Sequence, residues 1–207
     1  MSNVTAHATG RLIVIDGIDQ SGKKTQTRML AKRIRQAGFQ SATWDFPAYY
    51  TPIGQYLRAY LAGRRRPDVH VIHLLYAANK WEVAHKIVAQ LTSGSIVVAN
   101  RYTPSNLAYG LAHGLPFDWL CSLESRLPKP SRVFILDVPV RTSFDRKSQH
   151  RDVHEGNSEY LHKVRKAYLR LSERYGWTII DGTRSPEVVH SELWSAVESS
   201  LRSGKPS

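Results

Sequence analysis

The sequence predicts a doubly wound α/β fold on a five-stranded parallel sheet. Three observations predict it. Five short apolar runs recur, a helical pattern follows each, and glycine or proline marks the junctions. The first run, RLIVID (11–16), carries four consecutive apolar residues, three of them β-branched, between Arg11 and Asp16, as a strand buried on both faces requires. Met29, Leu30, Ile34 and Ala37 then follow helical spacing, and Gly38 stands where a C-terminal cap belongs. ATWDF (42–46) is the second strand, followed by Ile53, Leu57, Tyr60 and Leu61 on one helix face before Gly63. A long helix is expected from about His70 to Ser93, closed by Gly94, and leads into the third strand, SIVVAN (95–100). Pro116 opens a short helix that LPKP (127–130) ends. RVFILD (132–137) and WTIID (177–181) are the remaining strands, with helices over 158–175 and 186–202. One domain spanning 11–202 is expected, with disordered tails over 1–10 and 203–207. The polar segment RKSQHRDVHEGN (146–157) interrupts the pattern and is expected to be a short flap, or LID.

A hydrophobic share of 42% against 22% charged residues is that of an ordinary globular protein. No apolar stretch approaches the roughly 18 residues of a membrane span, and the start, without a basic stretch followed by an apolar block, is not expected to be a signal peptide. Cys121 is the lone cysteine, so an intrachain disulfide is excluded and a cytoplasmic location is expected. The net charge of +12 suits an anionic partner, but its cations are spread along helices rather than interleaved with aromatics. Solvated helix faces account for most of it, and basicity alone does not establish a nucleic-acid partner. The nine histidines form no ligand spacing such as H-E-x-x-H.

The chemistry begins where the first strand ends. DGIDQSGKKTQ (16–26) carries Gly17, four residues, Gly22 and Lys23, directly before a helix. Such glycines let backbone N–H groups turn toward phosphate oxygens, the helix N-terminus adds partial positive charge, and Lys23 supplies a cation for the terminal phosphates. ATP is therefore expected across Gly17, Ile18, Asp19, Gln20, Ser21, Gly22, Lys23, Lys24 and Thr25. Lys24 is the departure: it stands where a hydroxyl usually meets magnesium, and an ammonium cannot coordinate a metal. Asp16 is left as an indirect holder of Mg2+ through water.

With FPAYYTPIG, HLLYAANKWE, NRYTPSNLAYG and LPKPSRVFILDVP following in order, the chain resembles the thymidylate kinases from about Arg11 to Leu201. The resemblance implies the fold of nucleoside monophosphate kinases, a homodimer, and transfer of the γ-phosphate of ATP to dTMP. It further implies a role for each matching residue. Arg101 clamps the acceptor phosphate, and a planar guanidinium grips two oxygens at once. Asp19 lies near the sugar 3′-hydroxyl. Tyr76 stacks on thymine in place of a Phe, and Lys80 bonds a base carbonyl in place of an Arg, four residues on and so on the same helix face. Ser105, Asn106 and Tyr109 match a segment in which the Asn contacts the base and the Tyr crowds the 2′ position. Phe46, Pro47 and Tyr49 match another segment around the acceptor. Arg146, Lys147 and above all Arg151 of the flap are expected to neutralise charge in transfer, because Gln20 replaces an arginine that one branch of the family carries in its loop. Asn100, where the family commonly has Asp, removes a negative charge from the same metal site that Lys24 alters. Three readings stand on sequence alone. Lys23, Arg101 and the 73–109 segments arriving together favour a working dTMP kinase, with dUMP a further acceptor. Lys24 and Asn100 motivate a nucleotide-binding protein with weak or no kinase activity, and the charge of +12 motivates a nucleic-acid-associated protein.

Overall fold

A computed structural model describes residues 10–146 and 157–202. Its five strands are β1 (Arg11–Asp16), β2 (Ser41–Asp45), β3 (Ile96–Asn100), β4 (Arg132–Asp137) and β5 (Thr178–Asp181). All four pairings are parallel, in the order β2-β3-β1-β4-β5. β1 lies at the centre, which is why the most apolar run in the chain builds it: five of its six residues are buried. The expected five-stranded parallel sheet is therefore present, each strand within one residue of its expected ends.

The helices cover both faces. Leu12 and Val14 point to one side and pack with α3 (Val69–Thr92), α4 (Thr103–Ala112), α5 (Phe117–Glu124) and α7 (Ser158–Tyr175). Ile13 and Ile15 alternate to the other side, against Leu30 and Ile34 of α1 (Lys23–Gln36) and Leu193 and Val197 of α8 (Pro186–Arg202). Each such fully buried Leu or Ile contributes about 1.5–3 kcal/mol. α2 (Pro52–Leu61) packs on α3, and α6 (Val140–Arg146) on α7. α4 and α6 carry no signal used above. α4 is only ten residues long and begins T-P-S-N, a composition that suits a turn as well as a helix.

The glycine expected to end α1 is in place, and two further caps bound α7. Gly38 follows the last turn of α1 at φ 88° and Gly176 caps α7 at φ 65°, left-handed conformations that glycine adopts without a Cβ clash. Asn157, at the close of the flap segment, caps α7 by accepting from the Tyr160 N–H. Gly10, assigned to the tail by sequence, instead donates to the Leu91 carbonyl at 3.0 Å. The remaining expected tail residues and flap residues 147–156, including Lys147 and Arg151, lie outside the described residues.

Candidate active site

Parallel strands deliver their C-terminal ends to one edge of the sheet, and two cavities open there. The larger encloses about 1230 Å³ around the β1–α1 loop. Gly17 is at φ 136°, and a Cβ there would sit 2.5 Å from the Leu136 carbonyl, so only glycine fits the turn. Gly22 is the N-cap of α1 at φ 94°, and no side chain caps that helix. Its first N–H groups are thus left for an incoming anion, and no acid stands in the first turn to compete. Lys23 is buried at the cavity wall, its Nζ donating to the Ile18 carbonyl at 2.6 Å. Lys24 and Thr25 are exposed on the same wall, with Gln20, Ser21 and Asn100. Of the expected ATP residues, only Gly17 and Ile18 do not line it. Ile18 is a core residue, 2% exposed, that contributes its carbonyl.

Sequence reasoning missed the far wall: Gly182, Arg184, Pro186 and Val189, from the β5–α8 connection. No motif marks it. Arg146 does reach this cavity, its guanidinium spanning from the Gln20 carbonyl (3.1 Å) to the Gly182 carbonyl (2.8 Å).

The smaller cavity, about 640 Å³, gathers all ten residues expected around the acceptor: Asp19, Phe46, Pro47, Tyr49, Tyr76, Lys80, Arg101, Ser105, Asn106 and Tyr109. Leu61, Asn79 and Tyr102 join them without having been expected. Asn79 gives a reason: its Oδ1 accepts from the Ala48 N–H at 2.8 Å and so holds the chain beyond Phe46-Pro47, a cis peptide, against α3.

Asp19 and Arg101 line both cavities. Arg101 sits at φ 62°, a left-handed conformation uncommon for a residue with a side chain, fixed by its N–H on the Ile15 carbonyl at 3.0 Å. Its guanidinium is ion-paired with Asp19 and touches Gly17 O (3.4 Å), Ser105 Oγ (3.3 Å) and Tyr109 OH (3.4 Å). Burial opposes its charge, but Asp19, Tyr109, Tyr168 and Asp16 outweigh burial and hold it well above the usual arginine value. Tyr109 OH in turn donates to Asp19 Oδ2 at 2.8 Å, and burial keeps that phenol protonated.

Asp16 corrects an expectation. It was a candidate holder of metal through water, yet it is fully buried and lines neither cavity. Its carboxylate accepts from Gly17 N (2.9 Å), Tyr102 N (3.2 Å), Ser105 Oγ (2.7 Å) and Tyr168 OH (2.8 Å). It is the knot that ties β1, α4 and α7 beneath Arg101. Asn100 differs. Its Nδ2 donates to Asp45 Oδ1 at 2.9 Å, while its Oδ1 is buried without a hydrogen-bond partner. Among the described residues no three His, Cys, Asp or Glu side chains cluster to hold a metal ion. The donor set therefore fits a cation that keeps most of its waters and binds through phosphate, with Asn100 Oδ1 an oxygen ready to accept from such a water.

Lys80 and Asn106 are less free than their expected roles suggest. Both are buried at the deep end of the smaller cavity, where they hydrogen-bond Glu124 on α5. Glu124 was not anticipated. A lone acid in a short amphipathic helix has no local signal.

Comparison with known proteins bears on the whole assembly. A family model described as thymidylate kinase matches residues 15–193. Similar proteins include a thymidylate kinase of Homo sapiens, 30% identical over 93% of this chain and 92% of its own length. Another is a probable thymidylate kinase of Thermococcus onnurineus, 34% identical over 91% and 98%. A solved thymidylate kinase structure from Candida albicans superposes with a TM-score of 0.84 at 28% identity, covering 93% of this chain and 92% of that one.

Proposed function

The chain belongs to the thymidylate kinase family, whose members phosphorylate dTMP with ATP, and on that premise we propose how its residues divide the work. ATP enters the larger cavity, its phosphates against the uncapped start of α1 and Lys23, while dTMP enters the smaller. One observation carries the reading: the two cavities meet at a single wall made by Asp19 and Arg101. A phosphoryl group passing from one nucleotide to the other must cross there.

The chemistry asks little more than alignment and neutralised charge. A nucleoside monophosphate has a second pKa near 6, so near pH 7 its phosphate oxygen is already an ionised nucleophile and needs no general base. That oxygen attacks the γ-phosphorus, the bond to the β–γ bridging oxygen breaks, and ADP and dTDP result. Arg101 grips the acceptor phosphate, exchanging part of its pairing with Asp19 for phosphate oxygens. Lys23 meets charge on the donor side. Tyr76 offers a face for the base, Lys80 and Asn106 meet its edge, and Tyr109 with Asp19 borders the sugar. Phe46, Pro47 and Tyr49 close the opposite side. Arg151 and Lys147 neutralise charge in the transfer, as does Arg146, which spans the Gln20 and Gly182 carbonyls.

Magnesium bound with ATP would draw charge from the phosphates, and Asn100 Oδ1, which has no hydrogen-bond partner, would accept from its water shell. Lys24, exposed on the same wall, adds charge to the phosphates instead of a ligand to the metal.

The protein acts as a homodimer through α3. Val71, Leu74, Trp81 and Val88 are each more than 40% exposed and, with Ala78 and His85, follow the alternating three- and four-residue spacing of a helix-pairing seam. Trp81→Lys should shift the sedimentation coefficient to that of a monomer. No helix among the described residues is long and apolar enough to cross a membrane.

Coupled release of ADP tests the catalytic reading. Turnover that requires ATP and dTMP together, and that rises with added magnesium, is expected. ADP release indifferent to dTMP would contradict it.

A further inference from the structure

Glu124 sits behind the base end of the acceptor cavity with a side chain only 4% exposed. Its Oε1 accepts from Lys80 Nζ at 2.6 Å and from Asn106 Nδ2 at 3.1 Å. Those two residues line the cavity; Glu124 does not.

The hydrogen-bond bookkeeping behind them is directional. Asn106 Oδ1 lies 2.7 Å from His73 Nδ1, and a carbonyl oxygen only accepts, so His73 donates from Nδ1. His73 Nε2 must then accept, and His113 Nδ1, 2.9 Å away, donates to it. Burial supports this neutral form by driving the His73 pKa down to about 4. The Asn106 amide nitrogen spends its two N–H bonds on Glu124 and on the His73 carbonyl at 3.3 Å. Turning the amide over would set its oxygen against a carboxylate and a carbonyl, acceptor against acceptor. The amide is thereby locked, with nitrogen spent and one lone pair on Oδ1 in reserve. Lys80 is locked likewise. Of its three N–H bonds, one goes to Glu124 and one to the Tyr76 carbonyl at 3.2 Å, which leaves a single donor.

The deep end of the cavity thus presents one donor, from Lys80, beside one acceptor, from Asn106. A pyrimidine with a ring carbonyl next to an N–H matches that pair. One with an exocyclic amine next to a bare ring nitrogen inverts it, placing amine against ammonium and lone pair against lone pair. We propose that Glu124 is the positioning residue for base choice: by accepting from Lys80 and Asn106 together it fixes a donor–acceptor pair that admits thymine and rejects cytosine. This rests on dTMP occupying the smaller cavity.

The test is steady-state kinetics of the full-length wild type, Glu124→Gln and Glu124→Asp with dTMP and with dCMP at saturating ATP, alongside thermal melts. Glu124→Gln leaves a neutral oxygen for Lys80 and Asn106, with its amide nitrogen in the place of Oε2, which has no hydrogen-bond partner, and removes the charge that holds Lys80. It should raise KM for dTMP at least tenfold, change kcat less than threefold, and leave KM for ATP unmoved. The ratio of kcat/KM for dTMP over dCMP should fall at least tenfold. Were Glu124→Gln too unstable to assay, Glu124→Asp decides, since it keeps the charge but withdraws it by one methylene. The same direction of change is then expected. A folded variant whose KM and dTMP-to-dCMP ratio equal those of wild type overturns the proposal. Wild-type protein with no turnover of dTMP would instead refute the occupancy on which it rests, and the proposal would fall with it.

Discussion

The two cavities share a wall yet are built on opposite principles. In the acceptor cavity nearly every polar side chain is already engaged: Asn106 with His73 and Glu124, Lys80 with Glu124, Asp19 with Tyr109 and Arg101. In the phosphate cavity the start of α1 has no side-chain cap, Lys24 is exposed, and Asn100 Oδ1 and Gln26 Oε1 are buried without partners. The difference follows from what each must bind. A base is told from its relatives by where its donors and acceptors lie, so the groups that meet it have to be fixed beforehand. A polyphosphate presents charge in every direction and arrives with a cation, so it is met best by donors not yet spent.

Separating the two functions gives the largest expected effect. Lys23→Met removes the buried cation of the phosphate cavity, and Lys23 does not line the other. It should lower kcat by about 10²–10³-fold, the loss typical of one donor to transition-state charge, while dTMP affinity by calorimetry stays within threefold. Loss of dTMP affinity to the same degree would break the division.

Tyr76→Ala probes the other side. Stacking on an aromatic side chain is worth about 1–3 kcal/mol per base, so KM for dTMP should rise roughly tenfold or more with kcat little changed. A fall in kcat at constant KM would show that Tyr76 serves the reaction and not the base.

The smallest effect concerns the lock itself. His73 has a folded pKa near 4 against an ordinary 6.5, so in that window the unfolded chain binds the proton and the folded chain does not. The resulting contribution, up to about 3 kcal/mol, is fully present above pH 6.5 and lost as pH falls toward 4. His113 is lowered in the same direction by burial, whereas burial raises Glu124 and works against it, and the Lys80 ammonium adds to the lowering of His73. Comparing wild type with His73→Asn isolates the term: the gap between their melting temperatures should narrow as pH is lowered from 7 to 4.5. A constant gap would mean that His73 is not held neutral.

What the sequence revealed, and what it withheld, divides along similar lines. Gly17, Gly22 and Lys23 were legible because a phosphate loop is local: its residues are neighbours in the chain and each type has a physical reason to be there. The acceptor residues were legible only as a resemblance across several segments, and all ten line one cavity. Asp16 misled because adjacency to the loop suggested metal, while the groups that enclose it, Ser105 and Tyr168, come from 89 and 152 residues away. Glu124 and the Gly182–Arg184 wall stayed invisible for the same reason. A side chain whose meaning lies in a distant partner looks, along the chain, like any surface polar residue.

The account rests on the acceptor site being ready before the donor arrives, and isothermal calorimetry of dTMP binding to the protein, with and without magnesium and in the absence of ATP, tests that most directly. The expected result is binding in both cases with dissociation constants within threefold of each other. Binding that appears only with magnesium, or strengthens more than tenfold on adding it, would contradict a site fixed in advance by Glu124, His73 and Asn106.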